Sequence, residues 1–330
     1  MQQNLRKGEV LARRYRILEP IGQGAMSAVY LAEDLRLPGA RWAVKELVEN
    51  SLPEQERTMA RLLFQREGEI LAAMSHPGLP RIVEQFTEPG DRHYLVMERI
   101  AGVPLDDLLE GRVRPLRPQE ALPIALQATH VLEYLHGQEP PVVFRDLKPS
   151  NLMISPLGRV RFIDFGIARF HHTPSAKDTQ ELGTPGFCAP EQYHGQSTPR
   201  SDLYSLGVTL FFLLTLKDPQ SFQFRFTPVS QFQPVPPLLD EALARCLELR
   251  PQDRYSSASA LRYDLELALR QLPMSPAGST QTLSGALVEL GRHAQRVPGP
   301  DGPAIWNFWK EWFVRTFNLD AGSSPSRPGP

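Results

Sequence analysis

Along this chain strands come first and helices later, and that order limits its fold more than any other feature. Residues 15–21, 28–34 and 41–46 are short β-branched or alternating runs set apart by Gly and Pro. Residues 54–74 carry Met59, Leu62, Leu63, Ile70 and Leu71 at helical spacing and stop before His76-Pro77-Gly78. Strand character returns over 82–87 and 93–98. From Pro118 the pattern is helical, with Leu122, Ala125, Thr129, Leu132 and Leu135 along one face of a long amphipathic helix closed by Gly137. Residues 203–216 are almost wholly apolar yet too short and interrupted to span a membrane, so they read as a buried core helix. Helices over 238–249 and 258–272 complete the series. Strands followed by helices predict two segregated lobes, an α+β fold rather than a βαβ repeat, and 330 residues are enough for two cores.

Composition excludes several classes. A net charge of −1 gives no broad electrostatic basis for nucleic-acid binding. Cys188 and Cys246 lack metal-ligand spacing and suggest no disulfide framework. The opening MQQNLRKGEVLARRY has no apolar secretory core, so a reducing cytoplasm is the expected location. Most cations are Arg, which singles out the few Lys. An ammonium is a compact point charge that fits among phosphate oxygens, where a guanidinium is larger and planar.

The chemistry concentrates in Phe144-Arg145-Asp146-Leu147-Lys148-Pro149-Ser150-Asn151, followed by Asp164-Phe165-Gly166. It offers a carboxylate suited to act as general base, a phosphate-binding cation and two hard-oxygen ligands for magnesium. Upstream, Gly22-Gln23-Gly24-Ala25-Met26-Ser27-Ala28-Val29 lies between two predicted strands. Glycines there let backbone N–H groups approach phosphates, although a bare Gly-x-Gly is more often an ordinary tight turn. Its place before a strand, not at a helix start, argues against a dinucleotide fold. Ala43-Val44-Lys45 ends a strand; Lys45 alone would pass for a surface lysine, but it could also hold phosphates if a carboxylate from the next helix oriented it. Glu67 and Glu69 are the candidates, and at about 100° per residue only one of them can face Lys45.

Together these motifs resemble the protein kinase superfamily, and in particular the eukaryotic-like (Hanks-type) Ser/Thr kinases of bacteria. The resemblance covers residues 15–272, with a β-rich lobe over about 15–99 and a helical lobe over about 100–272. It implies a bilobal kinase fold and an enzyme that moves the γ-phosphoryl of ATP to protein Ser/Thr hydroxyls, with Mg2+ (or Mn2+) as cofactor. It pairs Lys45 with Glu67. It places ATP against Ile21, Gly22, Gly24, Val29, Ala43 and Met153, with Met97 behind the adenine and backbone groups of Glu98 and Ile100 at its edge. Asp146 would orient the substrate hydroxyl, Lys148 would neutralise the transferring phosphoryl, and Asn151 and Asp164 would hold the metal. Downstream, Gly183-Thr184-Pro185-Gly186-Phe187-Cys188-Ala189-Pro190-Glu191 resembles the end of an activation segment. Thr184 would then sit near Asp146 and Lys148, Glu191 would pair with Arg254, and Asp202 would anchor the catalytic loop.

Two departures from the family pattern stand out. Ser27 occupies the place of a third glycine, and Phe144 that of the His before Arg145-Asp146. Phe144 is expected to fill its site by packing on Phe165, Leu71 and Ile82. A pseudokinase scaffold that binds ATP without transfer is the alternative the departures favour; the intact Lys45, Asp146, Asn151 and Asp164 speak against it. A small-molecule phosphotransferase would share the base and metal ligands but not the segment from Thr184 to Glu191.

Arg145 beside the base is a cation suited to receive a phosphate on the activation loop. Thr173, Ser175 and Thr179 are the hydroxyls available, Thr179 being favoured, and Glu181 is a built-in carboxylate rival. Outside the kinase region, residues 1–14 are expected as an N-terminal extension, 273–303 as a linker with a short helix, and 320–330 as a disordered tail. Residues 304–319 are aromatic with helical spacing, which suggests a helix docked on its own domain or a partner, with peripheral membrane contact as runner-up.

Overall fold

The computed structural model describes residues 5–24, 26–49, 53–110, 112–164 and 184–273. Six antiparallel strands form the first lobe: β1 (Val10–Leu11), β2 (Tyr15–Gln23), β3 (Ser27–Asp34), β4 (Arg41–Leu47), β5 (Ile82–Glu88) and β6 (Arg92–Glu98), in the order β1-β2-β3-β4-β6-β5. Side chains alternate across such a sheet, so each strand supplies two faces. One face, with Tyr15, Ile17, Tyr30, Val44, Tyr94 and Val96, is covered by Leu5 and Leu11 of the N-terminal segment. The expected extension is therefore folded back onto the sheet from residue 5 onward, and β1 adds an edge strand to it.

The opposite face receives α1 (Glu54–Ala72), whose Ala60, Phe64 and Leu71 join Leu47 and Leu95 in the main core. Helix and sheet approach closely at Gly68, where an added Cβ would lie 2.3 Å from Gln85 Oε1 and 3.1 Å from Leu95 Cδ1. The neighbouring residue, Glu67, is consequently driven deep into the interface.

The second lobe is built on α3 (Pro118–His136), α4 (Pro199–Thr215), α5 (Pro237–Cys246) and α6 (Ala258–Arg270). The sequence predicts α3 as amphipathic, but it is enclosed on nearly all sides, including Ala121, Pro123, Ile124, Leu126 and Ala128 off the predicted face. The reason is its central place, since both α4 and α6 pack on it. Helix α4 is buried from Ser201 to Phe211. Among the described residues no helix is long and apolar enough to cross a membrane.

Between the lobes lies a small sheet of β7 (Val103–Pro104), β8 (Leu152–Ile154) and β9 (Val160–Phe162), with the short α2 (Leu105–Leu109) beside it. Strands of two or three residues carry no readable period, which is why the sequence alone did not reveal them. Gln127 on α3 fastens the β8–β9 turn, donating to Gly158 O at 3.1 Å and accepting from Val160 N at 3.1 Å. Phe162 N donates to Gly78 O at 2.8 Å and so ties the small sheet to the first lobe.

The contact between α3 and α6 contains a titratable group. Arg262 donates to His130 Nδ1 at 3.1 Å, so this nitrogen must be unprotonated, and burial together with the Arg262 charge pushes His130 down to about 4. A free imidazole titrates near 6.5, so between about 6.5 and 4 only the unfolded chain takes up the proton. Stability from this group is full above that window and lost as pH falls through it. Urea midpoints compared at pH 7 and pH 5 should fall less in His130→Gln than in wild type; an equal fall would show that His130 takes up its proton alike in the folded and the unfolded chain.

Candidate active site

Strand register assembles one wall of the cleft. Val29 stands opposite Lys45, and Ala43 opposite both Leu31 and Met97. Directly paired residues share a face, as do residues two apart on a strand. Val29, Ala43, Lys45 and Met97 therefore line the same surface. Met153 faces the other way from its buried neighbours Leu152 and Ile154 and is itself half-buried. Ile21, Gly22 and Gly24 are exposed on the limb of the β2–β3 turn that leads to its tip. Beyond Met97, Glu98 N donates to Arg81 O at 2.8 Å, and Ile100 follows as β6 ends.

Lys45 is buried and reaches Glu67 Oε1 at 2.8 Å and Asp164 Oδ1 at 2.6 Å. Burial alone would lower its pKa, but the two carboxylates outweigh that and raise it, so the ammonium stays charged. Of the two candidate glutamates it is Glu67 that meets Lys45; Glu69 is exposed and accepts from Gln65 at 2.9 Å. Glu67 Oε2 is buried without a hydrogen-bond partner among the described residues.

A second constellation surrounds Asp146. Thr184 Oγ1 donates to Asp146 Oδ1 at 3.1 Å, and Asn151 Nδ2 donates to Oδ2 and to the Asp146 carbonyl, both at 2.7 Å. Lys148 Nζ donates to Thr184 Oγ1 at 2.6 Å and lies 3.3 Å from Asp146 Oδ2. Both carboxylate oxygens are thus held, which fixes the plane of the group.

The loop bearing these residues is positioned from beneath. Asp202, at the start of α4, accepts from Phe144 N and Arg145 N at 2.8 Å each and meets His136 Nε2 at 2.9 Å. This holds Arg145 at φ +71°, a left-handed conformation that non-glycine residues rarely adopt. Thr209 donates to Leu147 O at 3.3 Å, and Gln192 to Arg145 O at 2.9 Å. Glu191 meets Arg254 at 2.6 and 2.8 Å and accepts from Ser201 Oγ at 2.7 Å. His136, Gln192, Ser201 and Thr209 are supports the sequence reading missed. Each acts across the fold, and none belongs to a recognisable spacing.

The donor set suits a nucleotide with a hard divalent cation. Asn151 donates through its amide nitrogen, which leaves Oδ1 free to coordinate, and the Asp164 side chain is 49% exposed. Among the described residues no group of three or more His, Cys, Asp or Glu could hold a metal alone. Such a site fits Mg2+, which takes one or two protein oxygens and completes its shell with phosphate oxygens and water. Lys45 and Lys148 are the two cations that would stand beside the phosphates of such a ligand.

The protein kinase domain family model matches residues 15–265. The chain belongs to the protein kinase family. Serine/threonine-protein kinase PknB of Mycobacterium leprae is 32% identical over 313 residues, covering 88% of this chain and 49% of that protein. Serine/threonine-protein kinase pkn2 of Myxococcus xanthus is 38% identical over 332 residues, covering 90% of this chain and 39% of that protein. The chain thus spans half or less of these relatives' lengths. Among solved structures, the PknI kinase domain of Mycobacterium tuberculosis superposes with a TM-score of 0.65 at 25% identity, over 81% of this chain and 100% of that one. The α+β bilobal kinase fold and the bacterial Hanks-type family expected from sequence both stand.

Within this kinase, Phe144 is fully buried and meets Phe162 edge-on at 4.8 Å. Leu71 belongs to the same core cluster and Ile82 packs against it. Phe165, Thr173, Ser175, Thr179 and Glu181 lie outside the described residues, as do 274–330 with the aromatic segment 304–319.

Proposed function

We propose that this chain is an ATP-dependent Ser/Thr protein kinase that also phosphorylates its own activation segment. The observation that carries the reading is the closed triangle of Asp146, Lys148 and Thr184, in which a candidate base and a candidate phosphate-binding cation meet a hydroxyl of the segment ending at Glu191. Bound ATP, with its divalent cation, would supply the phosphoryl group and neutralise its oxygens. Ile21, Gly22, Gly24, Val29, Ala43, Met97 and Met153 would enclose the nucleotide, with backbone groups of Glu98 and Ile100 at the adenine edge. Lys45, aligned by Glu67, would hold the phosphates, and Asn151 and Asp164 the metal. Asp146 would take the proton of the substrate hydroxyl as its oxygen bonds to the γ-phosphorus and the bond from phosphorus to ADP breaks. Lys148 would balance the charge that develops on the transferring group.

Arg145 supports the regulatory half of the reading. Its Nε is buried without a hydrogen-bond partner among the described residues, and burial lowers its pKa. A phosphate ester would satisfy both the charge and the open N–H.

Phosphate transfer from ATP to a generic Ser/Thr protein should fall about a hundredfold or more in Asp164→Ala, measured at a temperature where circular dichroism shows the variant folded. Phosphopeptide mapping of the wild-type reaction should find Thr179 modified. Nucleotide binding without turnover in the wild type would overturn the proposal in favour of a scaffold; an unmodified loop in active protein would transfer the loop role to Glu181.

A further inference from the structure

The β2–β3 turn is fixed unevenly, and the difference sits at Met26. Ile21, Gly22, Gln23 and Gly24 on the incoming limb are all exposed, whereas Met26 is half-buried. Its side chain packs against the main core, the cluster that holds Leu47 of β4 and Ala60 and Phe64 of α1. Its carbonyl accepts from Val48 N at 2.9 Å, just past the end of β4. The turn closes where Gly24 N donates to Ser27 O at 2.7 Å. A Cβ on Gly24 would come 3.3 Å from Ser27 Oγ, so glycine here and serine there are fitted to each other.

We propose that Met26 is a positioning residue that fastens the tip of the phosphate turn to β4 and α1, so that the grip on phosphate and the alignment of Lys45 by Glu67 are set by one piece of packing. The proposal rests on the nucleotide-binding reading above and deepens it. A turn with one glycine fewer than its family has less backbone freedom on its outgoing limb. Here that limb does not need to move, because Met26 holds it to the core while the glycines of the incoming limb adapt to the phosphates. Methionine suits such a seat, because an unbranched and polarisable side chain adapts to irregular core surfaces.

The anchor should matter for phosphates and not for the nucleoside. Binding of Mg·ADP and of adenosine is measured by calorimetry on the full chain for wild type, Met26→Ala and Met26→Leu. Met26→Ala should lose about tenfold in affinity for Mg·ADP, a shift of about 1.4 kcal/mol, while adenosine affinity stays within about twofold of wild type. Met26→Leu, which keeps the volume, should restore Mg·ADP binding. Equal losses for both ligands in Met26→Ala would overturn the inference, because general loosening of the lobe does not distinguish phosphates from a nucleoside. So would an unchanged ratio, or failure of leucine to rescue. If Met26→Ala does not fold, Met26→Gln, of similar length but polar, carries the same comparison. Failure of the wild type to bind Mg·ADP at all would instead overturn the nucleotide reading itself, and this inference with it.

Discussion

Asp146→Asn should lower kcat for phosphoryl transfer by about 10²- to 10⁴-fold, the range general-base catalysis contributes, with little change in KM for ATP. The substitution is nearly isosteric. One oxygen can still accept from Thr184 or Asn151, which now hold the two carboxylate oxygens at 3.1 and 2.7 Å. What is lost is the anion that, on the proposed mechanism, takes the proton. Lys148, 3.3 Å from Asp146 Oδ2, loses its charge partner but keeps Thr184 at 2.6 Å. The loop backbone is held independently by Asp202, so its course should not change. Rapid-quench kinetics, which isolate the chemical step from product release, are the measurement. Equal single-turnover rates in wild type and variant would exclude Asp146 as the base.

The largest effect on stability is expected at Glu191. Arg254 has a fully buried side chain, and besides Glu191 it donates to the carbonyls of Glu248, Arg200 and Leu249 with the Tyr204 ring 4.7 Å away. Glu191→Ala leaves that guanidinium buried and uncompensated, which costs about 3–5 kcal/mol and should lower Tm by roughly 10 °C in a domain of this size. Replacing both partners is a different case. Glu191→Leu with Arg254→Met removes charge along with partner, and the double variant should recover much of the loss. Burial by itself would lift the Glu191 pKa, but its bonds from Arg254 and Ser201 prevail and hold it below the ordinary range. The pair therefore stabilises above the carboxylate pKa of the unfolded chain, and its contribution disappears as pH falls through the lower folded value. Thermal melts of the two single variants and the double variant decide the matter; strictly additive losses would show that the two residues are not coupled.

The main elements were legible because each is long enough to show its period. Helix α1 was expected over 54–74 and spans Glu54–Ala72, and β2 through β6 fall within about two residues of their expected bounds. Glu67 and Glu69 were the nearby carboxylates for Lys45, and helix geometry alone said that only one of them could serve; the family resemblance chose Glu67, which the structure places against Lys45. The supports were not legible. His136 and Thr209 act through one hydrogen bond each to a residue more than sixty positions away, and no local pattern records such a contact. Phe144 lies between these cases. Its departure from the family pattern is plain in the sequence, but its edge-on contact with Phe162 depends on where the small central sheet sits.

Helix α4 meets the catalytic loop at two places, Asp202 and Thr209, seven residues apart. Seven residues are close to two full turns, so both side chains leave the same side of the helix about 10 Å from each other. A loop pinned at a single point keeps its distance but can swivel about the pin; one pinned at two points along a rigid rod has lost that freedom as well. The aim of Asp146, and not only its location, is thus set by a helix packed beneath the loop that bears it.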